Sequence, residues 1–244
     1  MTTTAGVAAE VAAALGTVLG VWAHPDDEAY LAGGLMAAAV DAGARVVCVT
    51  ATRGERGTPD PDAWPPERLA AVRDAELAAS LAMLGVVEHR QLGYPDGGCA
   101  AVPADEAVDR VAALVAEVRP DTLLTFGPDG TTGHDDHRTV SAWATTAVRR
   151  SEPGRAPRLL YAAKTEAWCD RFAPLHRVIG AFPPGLPARF PADEVAFEVV
   201  LAGNLLDRKV AALMAQASQV APLAQALGEE AFRSWVATEC FRPA

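Results

Sequence analysis

Histidine, aromatic side chains and long apolar runs are all scarce in this 244-residue sequence. No window approaches the ~20 consecutive apolar residues that a membrane-spanning helix needs, so no membrane span is expected. Residues 1–16 contain no Lys or Arg. A secretory signal places a basic stretch before its apolar one, so a short helix or loose N-terminal arm is expected here instead. The four cysteines, Cys48, Cys99, Cys169 and Cys240, form no C-x-x-C pair, which argues against a thiolate zinc site. Cys48 falls in an apolar run, so reduced thiols and a cytoplasmic location are expected. Basic residues (21) are outnumbered by acidic ones (31), giving a formal net charge of −10. That balance disfavours broad, nonspecific binding to nucleic acid or to an anionic membrane. Aromatics make up only 6% of a chain that is 50% hydrophobic, so the core must be built mostly from Ala, Val and Leu. The one Gly-bearing loop that invites a phosphate reading, Gly54-Glu55-Arg56-Gly57, lacks the G-K-[ST] ending of a Walker loop.

What is present is an alternation. Apolar runs at 17–23, 45–50 and 122–126 read as buried strands, with a weaker one at 86–92 and later ones at 158–163 and 195–201. Helical patterns occupy 27–42, 67–84, 104–118 and 134–149, and then 205–218 and 227–236. Strand then helix at this spacing predicts an α/β, doubly wound, mostly parallel sheet flanked by helices. The first ~16 residues form the arm, and 17–244 form one domain. The proline-rich segment 170–191 reads as an irregular flap. Polar clusters follow successive strands, so right-handed crossovers should bring His24, the Arg53 loop, Asp96 and His134 to one sheet edge.

Two clusters carry chemistry. The first is His24-Pro25-Asp26-Asp27-Glu28, directly after the first strand. The second is His134-Asp135-Asp136-His137, after the strand at 122–126. Each alone also reads as a helix N-cap with acids in the first turn. Together they hold three of the five histidines, and a shared metal site accounts for both. Two His and one Asp suit Zn²⁺, with Fe²⁺ or another divalent metal as alternatives. The Asp26-Asp27 pair can divide the work, one ligating and one acting as general base, while a remaining His stabilises the oxyanion or the leaving amine. Glu28 reads as a helix-start or supporting residue. Arg73 and Glu76 read from spacing as an intrahelical ion pair. Trp64 and Trp168 are candidates for stacking on a sugar, and His89 and His176 read as structural.

The stretch Ala23-His24-Pro25-Asp26-Asp27-Glu28 resembles the A-H-P-D-D-E signature of the PIG-L/LmbE de-N-acetylases, and His134-Asp135-Asp136-His137 resembles their second signature. Further similarity runs through Thr52-Arg53-Gly54-Glu55, Arg73-x-x-Glu76, residues 92–97, and the late helix with Lys209, Ser218 and Gln219. The resemblance implies a Rossmann-like fold and a single zinc, with removal of the acetyl group from an N-acetylglucosaminyl conjugate. It implies metal ligation by His24, Asp27 and His137. Asp26 would be the base, and His134 the oxyanion or amine partner tuned by Asp136. Arg73 and Asp96 would contact sugar hydroxyls. The partner implied is a small amino-sugar conjugate, and a homo-oligomer is compatible with the sequence. The alternatives are an amidase of a larger thiol S-conjugate or antibiotic glycoside, and a non-catalytic sugar-binding relative. Three positions depart from the family pattern. Asp135 stands where Pro is usual and should add negative charge beside the metal. Thr132 stands where mycothiol-pathway deacetylases carry Tyr. Gln216 stands where a His is usual, with an effect expected only on packing or the outer pocket. The chain is also shorter than the mycothiol enzymes, which sets it apart from that substrate.

Overall fold

A computed structural model describes residues 4–152, 154–180 and 182–244. The elements run α1 (Thr4–Leu15), β1 (Val18–Trp22), α2 (Asp27–Asp41), β2 (Val46–Thr50), α3 (Pro66–Leu84) and β3 (Glu88–Gln91). They continue α4 (Ala104–Val118), β4 (Thr122–Phe126), α5 (Asp135–Arg149), β5 (Arg158–Ala162), β6 (Lys164–Thr165) and α6 (Glu166–Ile179). The last are β7 (Arg189–Phe190), β8 (Phe197–Val200), α7 (Gly203–Ala215), α8 (Ala217–Leu227), α9 (Glu229–Val236) and β9 (Thr238–Pro243).

Seven strands form one sheet in the order β3-β2-β1-β4-β5-β9-β8. The five from β3 to β5 are parallel, and β9 pairs antiparallel with both β5 and β8. The expected α/β, mostly parallel sheet is therefore observed. β1, β2 and β4 are buried throughout, which is why they read as unbroken apolar runs rather than alternating ones. The strand order reverses between β1 and β4, and the crevice beyond such a reversal is where open sheets of this kind bind ligands. Both histidine clusters follow these two strands.

The core is built mainly from Ala, Val and Leu, with Trp22 and Phe126 meeting edge to face at 5.4 Å between β1 and β4. Gly34 in α2 permits a close approach: a Cβ there would meet the Leu201 side chain at 2.2 Å. Its N–H, and that of Leu35, donate to the Glu239 carboxylate on β9 at 2.7 and 2.8 Å. No described helix is long and apolar enough to cross a membrane. All four cysteines are buried and unpaired.

Four sequence expectations need correction. Of the two readings of the N-terminal segment, the short helix holds and the loose arm does not: Ala8, Ala12 and Leu15, spaced along one helical face, are buried in the main core. The segment at 170–191 is not irregular throughout, because α6 extends to Ile179 with Pro174 inside it. Pro174 forfeits its own N–H bond and crowds the carbonyl one turn back, a local cost the helix bears. Thr165 caps the helix by accepting from the Trp168 N–H at 3.1 Å, and Trp168, Cys169 and Phe172 are buried in the second core. Likewise α8 carries Pro222 within it, and β9 closes a chain end for which no strand was expected.

Candidate active site

β1 ends at Trp22, and the chain turns over its edge through His24, Pro25 and Asp26 into α2. Asp26 takes φ = 106°, a conformation that costs a non-glycine residue about 1–3 kcal/mol. The strain is held by its surroundings. The Asp26 N–H donates to Glu28 Oε2 at 3.0 Å. The guanidinium of Arg73 donates to the carbonyls of Pro25 and, at 2.8 Å, Gly54, and reaches Asp26 Oδ2 at 3.3 Å. Gly54 has φ = 63°, and any Cβ there would strike the Arg73 guanidinium, so that loop can close only around glycine.

Three side chains converge beyond this turn. His24 Nδ1 lies 3.1 Å from His137 Nε2, His24 Nδ1 lies 3.6 Å from Asp27 Oδ2, and His137 Nε2 lies 3.4 Å from Asp27 Oδ1. A tetrahedral ion with ligands at ~2.1 Å has edges of about 3.4 Å, so the two ring nitrogens and the Asp27 carboxylate stand at the spacing of ligands to one ion, with a different Asp27 oxygen nearest each ring. The other ring nitrogens fix the tautomers. His24 Nε2 hydrogen-bonds Asp136 Oδ2 at 3.2 Å and lies 3.1 Å from Asp96 Oδ1. His137 Nδ1 bonds the Gly130 carbonyl at 3.0 Å, with the Thr132 hydroxyl at 3.2 Å. In the neutral rings both N–H groups thus point outward, and both lone pairs face Asp27 and one another. Two imidazole lone pairs at 3.1 Å beside a carboxylate repel unless a cation lies between them. The donor set therefore fits a divalent metal.

The electrostatics agree. Burial opposes a charged His24, yet Asp136, Asp27 and Asp96 outweigh it and raise His24 well above its ordinary range. Such a potential favours added positive charge. Asp27 is held down at about 2 by His137 and His24 against the penalty of burial. Asp26 goes the other way, to about 7, because burial and the charge of Asp27 outweigh the help from Arg73. Adjacent carboxylates pushed apart in this way are suited to different jobs.

His134 is the exposed member of the cluster. It caps α5, and its Nδ1 accepts the Asp136 N–H at 3.1 Å. The proton then resides on Nε2, which is free to donate. Its ring lies 4.7 Å from that of His24 and 5.1 Å from that of His137.

Several residues sit elsewhere than the sequence suggested. The Asp136 carboxylate does not face His134: besides His24 it accepts from the N–H groups of Gly97 and Cys99 at 2.7 and 3.0 Å. It orients His24 instead, and Asp136 is lowered to about 2 because these bonds overcome burial. Arg73 and Asp96 were expected on sugar hydroxyls. Arg73 is buried and committed to Pro25, Gly54 and Asp26, while Asp96 faces His24 and accepts the Arg56 N–H at 2.8 Å. Asp135 does not crowd the metal face, because its side chain is 85% exposed and faces Arg138. Gln216 is not peripheral: fully buried, it donates to Glu28 Oε1 at 2.7 Å and Ser80 Oγ at 3.1 Å. Glu76 makes no ion pair with Arg73, and caps α8 through Ser218 instead.

A cavity of about 330 Å³ opens from Asp27 and His137 and runs between α2, α6, α8 and α9. Trp168 lines it, whereas Trp64 packs under Arg68 away from it. Tyr30, Lys164 and Trp235 also line it, and none of them was singled out from sequence. Lys164 had a legible signal, since it directly follows a strand, as His24 does.

The comparisons with known proteins bear on what this site does. Residues 19–148 match the family model described as PIG-L: GlcNAc-PI de-N-acetylase. The chain is 38% identical over 200 residues to a 1D-myo-inositol 2-acetamido-2-deoxy-alpha-D-glucopyranoside deacetylase of Saccharomonospora viridis, covering 72% of each protein. A protein of the same name from Rhodococcus erythropolis is 31% identical over 237 residues, covering 82% of this chain and 80% of its own. Among solved structures, a conserved protein of Thermus thermophilus superposes with a TM-score of 0.64 at 26% identity, covering 93% of each chain. With both signature clusters lying within the matched segment, and deacetylases as its relatives, this chain belongs to the PIG-L family of de-N-acetylases and is a hydrolase.

Proposed function

We propose that this enzyme hydrolyses the acetamide of an N-acetylglucosaminyl conjugate, releasing acetate and the free amine, with a divalent cation, zinc first, held by His24, Asp27 and His137. The observation that carries the reading is the convergence of these three donors, with their tautomers fixed, beside an Asp26 raised to about 7. A cation there would polarise the amide carbonyl and lower the pKa of an attacking water. Asp26 takes that water's proton: its basicity near neutrality suits general-base work, and Arg73 together with the Glu28 contact holds its backbone in the required turn. His134 hydrogen-bonds through Nε2–H to the developing oxyanion and then to the lone pair of the departing nitrogen, keeping its proton. Asp136 and Asp96 hold His24 through Nε2, which keeps Nδ1 free for the cation. Water adds to the carbonyl carbon as its proton passes to Asp26, and as the C–N bond breaks Asp26 returns that proton to the departing nitrogen, releasing acetate and the amine.

The names of the curated relatives make the inositol conjugate the first compound to try, although the shorter chain was expected to set this protein apart from it. Purified protein is stripped with a chelator and reloaded with Zn²⁺ or Fe²⁺. It is then offered N-acetylglucosaminyl conjugates while acetate and primary amine are measured. Equal, metal-dependent release of both supports the reading. Release of a larger acyl group from a thiol S-conjugate, without acetate, supports the amidase alternative. No release from any compound with the metal bound supports a non-catalytic relative.

A further inference from the structure

The cavity beyond the donor triangle suits a group very unlike a sugar. Tyr30, Trp168, Phe182, Leu223 and Trp235 give it aromatic and aliphatic walls, with Tyr30 and Trp235 edge to face at 5.9 Å. At about 330 Å³ it is far larger than the methyl of an acetyl group. Pockets of this kind take a hydrophobic body oriented by a few placed polar groups.

Here the placed group is Lys164. The residue is only 8% exposed, and its amine lies over the Trp168 ring at 4.4 Å. Among the described residues it has no hydrogen-bond or ion-pair partner, and it lines the cavity. Its one acidic neighbour offers no relief. Glu239 is already engaged by Lys209 Nζ at 2.7 Å and by the N–H groups of Gly34 and Leu35. Lys209, also buried, adds a second positive charge, so the group of Lys164, Lys209 and Glu239 is left one positive charge in excess. Burial, and then Lys209, pull Lys164 down to about 8, which still leaves it mostly protonated at neutral pH. An occupant that fills the cavity takes this ammonium out of solvent and leaves it only an aromatic face, which is costly unless the occupant brings an anion with it. A single ammonium without a fork of donors suits a carboxylate better than a phosphate.

We propose that the cavity takes an apolar, ring-sized substrate group bearing a carboxylate, and that Lys164 is the residue that selects it. This rests on the triangle being the reaction centre. The group can belong to the aglycone or to the acyl chain; the chemistry met by the pocket is the same.

The test uses the zinc-loaded enzyme and three sugar-free probes: 3-phenylpropionate, 3-phenylpropanol and 3-phenylpropylamine. Binding is followed by quenching of tryptophan fluorescence, since Trp168 and Trp235 line the cavity. The acid should bind about 10–100-fold tighter than the alcohol, and the amine weakest. Lys164→Met should erase the acid's advantage while leaving alcohol binding intact, and Lys164→Arg should retain it. If Lys164→Met no longer binds the alcohol, its pocket has collapsed and the Lys164→Arg result decides. An acid preference that survives Lys164→Met, or no binding of the acid to the unaltered enzyme at millimolar concentration, overturns the proposal. Turnover then identifies the source. A carboxyphenyl N-acetylglucosaminide is compared with glucosamine N-acylated by a carboxyphenyl acid, each against its neutral phenyl analogue. A Lys164-dependent preference in one pair assigns the pocket to that part of the substrate. Lys164-dependent probe binding without any amide cleavage would defeat the hydrolase reading and leave the pocket assignment standing. Cleavage of neutral conjugates with no Lys164 dependence would do the reverse.

Discussion

Replacing Glu28 with glutamine should make the metal-free protein more stable, and increasingly so as the pH rises. Glu28 is fully buried; it accepts from the Asp26 N–H at 3.0 Å and from Gln216 Nε2 at 2.7 Å. Burial, and then the charge of Asp26, push it from the ordinary 4.5 to about 8. Between those two values the folded state holds a proton that the unfolded chain has lost. Stability therefore falls with pH across that window, by about 1.4 kcal/mol per unit for this group. By pH 7 the ceiling is about 3 kcal/mol; after allowance for relaxation and water entry we expect about 1–2 kcal/mol. Glutamine has nothing to titrate and keeps both contacts if the Gln216 amide turns over. Thermal unfolding in chelator, read at pH 5, 6, 7 and 8, should show Glu28→Gln level with the unaltered protein at pH 5. It should be higher by roughly 2–8 °C at pH 7, on the scale expected for a chain of this size. The variant should still lose stability with pH, because Asp26, raised to about 7, titrates in the same window. A gap that is constant from pH 5 to 8, or a variant less stable throughout, would refute the reasoning.

Asp136→Asn should weaken metal binding about 10–100-fold, as loss of a carboxylate behind a ligating imidazole does, measured by competition with a chromophoric chelator. Unchanged affinity with an altered pH profile would instead return Asp136 to a role on His134. Arg73→Lys cannot bridge Gly54, Pro25 and Asp26 together, so kcat should fall about 10–100-fold from a displaced Asp26, with little change in KM. The opposite split, a raised KM with kcat preserved, would restore the sugar-contact role suggested by the sequence.

The parts of the site that were legible are those fixed by position along the chain. An apolar strand that stops at His24, and another that stops before His134, must deliver those residues to one sheet edge once the strands are parallel. The structure brings His24 and His137 to 3.1–3.6 Å of one another and of Asp27. What a carboxylate faces is settled across the fold instead. Asp136, Asp96 and Arg73 face His24 or Asp26, because the start of α5, the loop after β3 and a side chain of α3 all meet the turn after β1. Gln216 was illegible for the same reason: its partner Glu28 lies 188 positions away. The helices α6 and α8 were obscured by Pro174 and Pro222, whose local cost is outweighed by Trp168, Phe172 and Val220 in a shared core. That same missed region walls the cavity, so the part of the sequence read least well is the part that bears on substrate choice.

The most direct test measures bound metal and turnover together on two adjacent substitutions. Asp26→Asn should retain one divalent ion per chain at unaltered affinity and lose turnover by about 10²–10⁴-fold, the range for removal of a general base. Asp27→Asn should lose the ion, and with it the activity. Metal lost from Asp26→Asn and kept by Asp27→Asn, or an Asp26→Asn enzyme that turns over at the unaltered rate, would contradict the division of labour between these two neighbours.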